Sequence, residues 1–210
     1  MLVLLGPGSV VVASLIPNLS FIESLAFTAF SFGAIVTLVI LGLGKRSGAN
    51  INPAISLAVV LARILKKDLI VPYILFQVAG GLLAGFTLKL IFSNLTTSYL
   101  GSTTLAIGVT PLYGVIIEAL GTFVLASSVL VASTKIKGSK SQALFIGTIL
   151  FILILLIGPL TGASFNPARS LGPAFASGYF TNLTVYLVGP LIGALCAGFL
   201  FRVIGSSKSC

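Results

Sequence analysis

An eleven-residue segment occurs twice in this chain, and each copy interrupts strongly apolar sequence. Ser47-Gly-Ala-Asn-Ile-Asn-Pro-Ala-Ile-Ser-Leu57 returns as Thr161-Gly-Ala-Ser-Phe-Asn-Pro-Ala-Arg-Ser-Leu171, displaced by 161 − 47 = 114 residues. Gly80, Ala84, Gly85 and Phe86 return at Gly193, Ala197, Gly198 and Phe199, displaced by 193 − 80 = 113. A repeat on this scale implies two structural halves, here roughly 1–92 and 112–204 of a single domain covering 1–210. Six apolar runs flank the two copies, at roughly 1–16, 21–43, 69–92, 112–133, 142–160 and 183–204. They reach or approach the ~20 residues that cross a ~30 Å hydrocarbon layer. With 57% hydrophobic and 7% charged residues, against about a quarter charged in soluble domains, the chain reads as an all-α membrane protein.

The repeated segments lead into two shorter apolar stretches, near 53–62 and 167–176. Ten helical residues cover only ~15 Å, so these are half-helices. Lipid tolerates such broken backbone only where it is buried or lines an aqueous cavity. Each half therefore holds three spans and one half-helix, six spans and two half-helices in all. Three is odd, so the second half enters the membrane upside down. An inverted 3+3 repeat with broken helices near the midplane marks proteins that move solutes.

Charge sets the orientation. Lys45, Arg46, Arg63, Lys66, Lys67, Lys135, Lys137, Lys140, Arg202 and Lys208 fall on one side, and the loops 17–20 and 93–111 carry no cation. The positive-inside rule puts both termini in the cytoplasm. The net charge of +9 follows from this topology, and with no aromatic-rich basic surface a nucleic-acid partner is not expected. Histidine is absent and the only acids are Glu23, Asp68 and Glu118. That stock excludes histidine-based triads, most carboxylate pairs and His-rich metal sites, so neither an enzyme, a metal nor a cofactor is expected. Cys196 and Cys210 imply no disulfide framework. Asn94-Leu95-Thr96 and Asn182-Leu183-Thr184 match the short glycosylation pattern, which recurs by chance.

The Asn-Pro-Ala triplets, Asn52-Pro53-Ala54 and Asn166-Pro167-Ala168, have a physical role. Asn is a leading N-cap residue and Pro favours the first helical position, so each triplet starts a half-helix. Inverted symmetry brings both starts to mid-membrane. Each Asn oxygen can cap its helix while the amide hydrogens face a lumen. Two N-termini of ~+0.5 charge then face one point, opposing cations and protons while neutral molecules pass.

These motifs resemble the aquaporin (major intrinsic protein) family, over almost the whole chain from Gly6-Pro-Gly-Ser9 to Gly189-Pro190. The signature Gly162-Ala-Ser-Phe-Asn-Pro-Ala-Arg-Ser-Leu-Gly-Pro173 is highly specific. Tyr186-Leu-Val-Gly-Pro190 and Val71-Pro-Tyr-Ile-Leu-Phe-Gln77 look most like the plant nodulin-like branch and its prokaryotic relatives. The resemblance implies a homotetramer with one pore per subunit, in the plasma membrane. It implies that Glu118 in the fourth span braces a pore loop through backbone N–H groups; an isolated carboxylate in an apolar span costs several kcal/mol. The equivalent acid of the first half is missing, which fits a late start, since Met1 stands inside an apolar run.

By the same resemblance Arg169 belongs to an outer selectivity filter. Phe32, twenty residues before Asn52, Ile154, twelve before Asn166, and Ala163 match its other positions. Arginine brings fixed positive charge and up to five donors. Water-selective members carry His where this chain has Ile154, so a wider, less polar ring is expected. Glycerol facilitators typically have an aromatic near Ala163 and Asp where Ser170 stands. The mixture is like nodulin-like channels and archaeal aquaporins with Ile on the fifth span. The expected function is a passive channel for water and small neutral solutes: glycerol-like polyols, and by extension metalloid acids or dissolved gases. The competing reading is an ion-coupled secondary transporter, which usually needs titratable sites; only Glu118 is available.

Overall fold

The computed structural model describes residues 1–93 and 99–206. The Asn94–Thr96 pattern, Lys208 and Cys210 lie outside the described residues. Among the described residues eight α-helices follow in order: α1 (Leu2–Leu15), α2 (Phe21–Ser47), α3 (Pro53–Leu61), α4 (Ile70–Ile91), α5 (Pro111–Lys135), α6 (Ser139–Thr161), α7 (Pro167–Ser177) and α8 (Leu183–Ser206). Among the described residues every regular element is helical, as lipid demands when backbone groups must be satisfied within the segment.

Local chemistry explains where the helices begin and end. Ser20 and Glu23 form a reciprocal capping box at the start of α2, and Gly48 closes that helix in the left-handed conformation. Thr110 caps α5 ahead of Pro111. Gly162 and Gly178 end α6 and α7 at positive φ, a conformation in which glycine carries no Cβ penalty.

Among the described residues five helices are long and apolar enough to cross a membrane: α2, α4 with its preceding 3-10 turn, α5, α6 and α8. The first expected span is shorter. Its 14 residues rise about 21 Å, less than the hydrocarbon thickness, although α1 still packs against α2 and α4. The half-helices appear at 53–61 and 167–177, within a residue of the expected bounds.

The packing has the expected two-fold character. Exchanging α1 with α5, α2 with α6, α3 with α7 and α4 with α8 returns the same set of neighbours. Helices α2 and α6 form the central pair, α7 lies against α4, and α3 lies against α8. The exception is a thin α1–α4 contact beside a broad α5–α8 contact; α1 is 25 − 14 = 11 residues shorter than α5.

The repeated glycines seat the half-helices. A Cβ on Gly85 of α4 would run into the Gly172 carbonyl of α7, and one on Gly198 of α8 would lie 2.8 Å from the Ala58 carbonyl of α3. Small residues let backbones approach this closely inside a bilayer, where association depends on packing and not on water exclusion. A contrast on one helix tests the point. Gly85→Ala should force α4 off α7 and lower the unfolding midpoint in detergent. Gly80→Ala, with open space around it, should leave the midpoint unchanged or raise it slightly. Equal midpoints for the two variants would show that the Gly85 approach is not needed.

Candidate pore

Two loops run into the middle of the bundle and turn into α3 and α7. Each runs through left-handed backbone just ahead of its half-helix, at Gly48 and Ala49 in the first and at Gly162, Ala163 and Phe165 in the second. Left-handed alanine and phenylalanine are disfavoured by about 1–2 kcal/mol each, so the surroundings must hold them. The Gly-Ala pair near the start of both repeated segments is the sequence trace of this conformation.

Both asparagines cap as their position suggests. Asn52 Oδ1 accepts from Ala54 N at 2.9 Å and Ile55 N at 3.4 Å. Asn166 Oδ1 accepts from Ala168 N at 3.0 Å and Arg169 N at 3.3 Å. The amide nitrogens cross to the other half. Asn52 Nδ2 donates to the Phe165 carbonyl at 2.7 Å, and Asn166 Nδ2 donates to the Ile51 carbonyl at 3.0 Å. This reciprocal clasp ties the half-helix starts together at a sequence separation of 113 and 115 residues. It uses one hydrogen of each amide; an Asn amide has two.

Glu118 lies behind the second loop with no solvent exposure. Its Oε1 accepts from Thr161 Oγ1 at 2.7 Å and Ser164 N at 2.9 Å, and its Oε2 accepts from Phe165 N at 2.8 Å. Three donors offset the penalty of burying the carboxylate. In return the acid fixes the two peptides that lead into the left-handed Phe165, the residue whose own carbonyl Asn52 grips. Gln77 supports the first loop differently, donating from Nε2 to the Asn50 carbonyl at 2.7 Å and to Ser56 Oγ at 2.8 Å.

A cavity of about 300 Å³ borders Asn52, Asn166, Phe32, Ala163 and Arg169, and continues to Lys45, Ser139 and Gln142. Phe32 and Lys45 both line it and are thirteen residues apart on α2, about 20 Å at 1.5 Å per residue, so the cavity is elongated along the bundle. One wall is aliphatic, formed by Val36, Ile40, Ile146 and Leu150 among others. The charged residues of its lining are Lys45 and Arg169. Arg169 Nη1 donates to the Gly101 carbonyl at 2.8 Å, and its guanidinium carbon stands 5.1 Å from the centre of the Phe32 ring. That distance is within cation–π range.

Of the residues matched to a filter, Phe32, Ala163 and Arg169 border the cavity. Ile154 is not among its lining residues. Sequence reasoning did not reach Gly101, Thr161 or the hydroxyl chain in which Ser170 Oγ lies 3.0 Å from Thr103 Oγ1 and 2.6 Å from Ser164 Oγ. No local pattern marks such partners, which meet only through tertiary packing.

Among structures already solved, that of the aquaglyceroporin from Plasmodium falciparum superposes with a TM-score of 0.87, covering 98% of this chain and 92% of its own at 23% identity. That likeness bears on the fold. Nodulin-26 of Glycine max is 31% identical over 195 residues, covering 91% of this chain and 71% of its own length. A protein named glycerol uptake facilitator protein-like 6, of Lactiplantibacillus plantarum, is 35% identical over 212 residues, covering 98% of this chain and 94% of its own. The chain spans between 57% and 73% of the length of seven plant relatives. The sequence pattern of the family described as Major intrinsic protein matches residues 1–201. With two capped half-helices clasped head to head in an all-helical bundle, and with this match over nearly its full length, the chain belongs to the major intrinsic protein family.

Proposed function

We propose that the chain is a passive channel for water and small neutral solutes of the polyol class. The observation that carries this reading is the reciprocal clasp of Asn52 and Asn166 beside an elongated cavity. The relatives named aquaporin, nodulin and glycerol uptake facilitator agree with it.

The mechanism follows from the spare hydrogen on each amide. A water molecule between the two asparagines accepts one hydrogen bond from each, so its oxygen turns toward them. Its own hydrogens then point up and down the pore, and the file of donors reverses direction at that point. A proton cannot be relayed through such a reversal. The N-termini of α3 and α7 add positive potential at the same place. Neutral solutes cross because the aliphatic wall receives carbon and the loop carbonyls near Gly162–Ser164 receive hydroxyl groups.

Phe32, Ala163 and Arg169 form the selective ring on the outer side of the asparagines, and Ile154 supplies the apolar flank behind it. We place the protein in the plasma membrane, as a homotetramer with both termini cytoplasmic; the uneven distribution of lysine and arginine supports the orientation. A carrier mechanism has little to work with, because the lining offers no carboxylate among the described residues and Glu118 is occupied by three donors.

Stopped-flow permeability of proteoliposomes to water, glycerol, urea and boric acid tests the reading. Water and glycerol should enter down their gradients with no effect of an imposed proton gradient; accumulation coupled to that gradient would sink it. The ring has its own test. Ile154→His should lower glycerol flux more than water flux, because a larger polar ring narrows and wets the apolar flank. Equal loss of both fluxes at unchanged protein abundance would remove Ile154 from the determinants of solute size.

A further inference from the structure

Arg169 projects from the start of α7, and its hydrogen-bond acceptor is a backbone carbonyl from a distant loop, that of Gly101. That carbonyl belongs to a segment in which Tyr99, Leu100 and Gly101 all have positive φ, at 42°, 55° and 72°. Tyrosine and leucine rarely adopt this conformation, so contacts outside the segment must hold it. On its inner side Leu100 is buried, and Gly101 lies so close to α1 that an added Cβ would be 2.5 Å from the Pro7 carbonyl. On its outer side, contacts among the described residues reach α7 and the turn after it. The Tyr99 ring stacks on Tyr179 with centroids 4.3 Å apart and planes 26° from parallel. Ser102 Oγ donates to the Tyr99 carbonyl at 2.8 Å and lies 3.3 Å from Ser177 Oγ. Thr103 Oγ1 meets Ser170 Oγ at 3.0 Å. The loop is thus a strap laid along the helix that carries Arg169, with the aromatic pair at its far end.

We propose that the Tyr99–Tyr179 stack is a latch that positions the Gly101 carbonyl, and through it Arg169, so that two tyrosines outside the pore lining set its selectivity. Neither ring borders the cavity; both act through the strap. With the latch open, the left-handed segment relaxes, the carbonyl moves, and the guanidinium loses the anchor that keeps it over Phe32. The inference rests on the proposed role of Arg169 as a filter residue.

The test uses the full chain in proteoliposomes, reading methylammonium leak and the glycerol-to-water permeability ratio per folded protein. Tyr179→Ala and Tyr99→Leu remove the stack, the second keeping apolar bulk in case the first folds poorly. Tyr179→Phe keeps the stack, and Arg169→Val is the reference. The latch predicts that both stack-breaking variants raise the leak up to about tenfold, the factor that corresponds to a stacked aromatic pair. The ratio should shift in the same direction as in Arg169→Val, and Tyr179→Phe should behave as the parent. Parental leak and ratio in both stack-breaking variants would overturn the latch, as would a proportional fall of all fluxes at constant ratio, which denotes structural damage alone. If Arg169→Val itself changes neither readout, the filter role fails and the latch with it; if only Arg169→Val changes them, the latch fails alone.

Discussion

Glu118→Ala is expected to leave little folded protein. The carboxylate receives the backbone N–H groups of Ser164 and Phe165 and the hydroxyl of Thr161. Alanine would orphan two buried amides at about 1–3 kcal/mol each, roughly 2–6 kcal/mol for the pair, and would leave a void where the acid stood. That is comparable with the total stability of a typical folded domain. The loss also falls at the worst place, because the released N–H of Phe165 is on the same residue as the carbonyl that Asn52 grips. Glu118→Gln keeps one acceptor oxygen but turns an NH₂ group toward donors, so it should fall between parent and alanine. Thermal unfolding in detergent checks this, together with water permeability per folded protein. An unchanged midpoint in Glu118→Ala would show that the loop holds its shape without the acid.

Arg169→Val should have the largest effect on selectivity. The guanidinium borders the cavity 5.1 Å from the centre of the Phe32 ring, and a monovalent cation passing at ~5 Å would meet a repulsion of about 3 kcal/mol at an effective dielectric of 20. Removing that barrier raises cation permeation on the order of 100-fold. Protons should still be opposed, because the N-termini of α3 and α7 and the asparagine clasp remain. Water flux should change little, since valine only widens the ring. Sodium or methylammonium leak in proteoliposomes, with proton leak measured alongside, separates the two barriers. A cation leak equal to the parent's would place the whole of the ion barrier at the asparagines. The expected outcome divides the labour: the arginine excludes cations in general, and the paired helix starts exclude protons.

The two variants touch different kinds of information in the chain. Helix number and length, the broken half-helices, and the caps at Asn52-Pro53 and Asn166-Pro167 are legible in the amino-acid sequence by itself. Each depends on residues within a turn or two of one another, and in lipid the backbone has no alternative to helix. The 114-residue repeat extends that reach, because symmetry relates positions that local rules cannot connect; it puts the two asparagines face to face. The short α1 is visible too, as an apolar run of about sixteen residues. What the pattern cannot supply is any contact without a symmetry mate or a periodic mark. Gly101 meets Arg169 across 68 residues, and the acceptor is a backbone carbonyl, a group every residue has and no sequence distinguishes. Ile154 stands at the right spacing for the ring, yet whether a side chain on α6 faces the cavity or the core turns on the rotation of one helix against its neighbours. Lipid solvation and backbone satisfaction decide that there are helices and where they break. Only close packing, which distinguishes displacements of an ångström, decides which atoms meet in the pore.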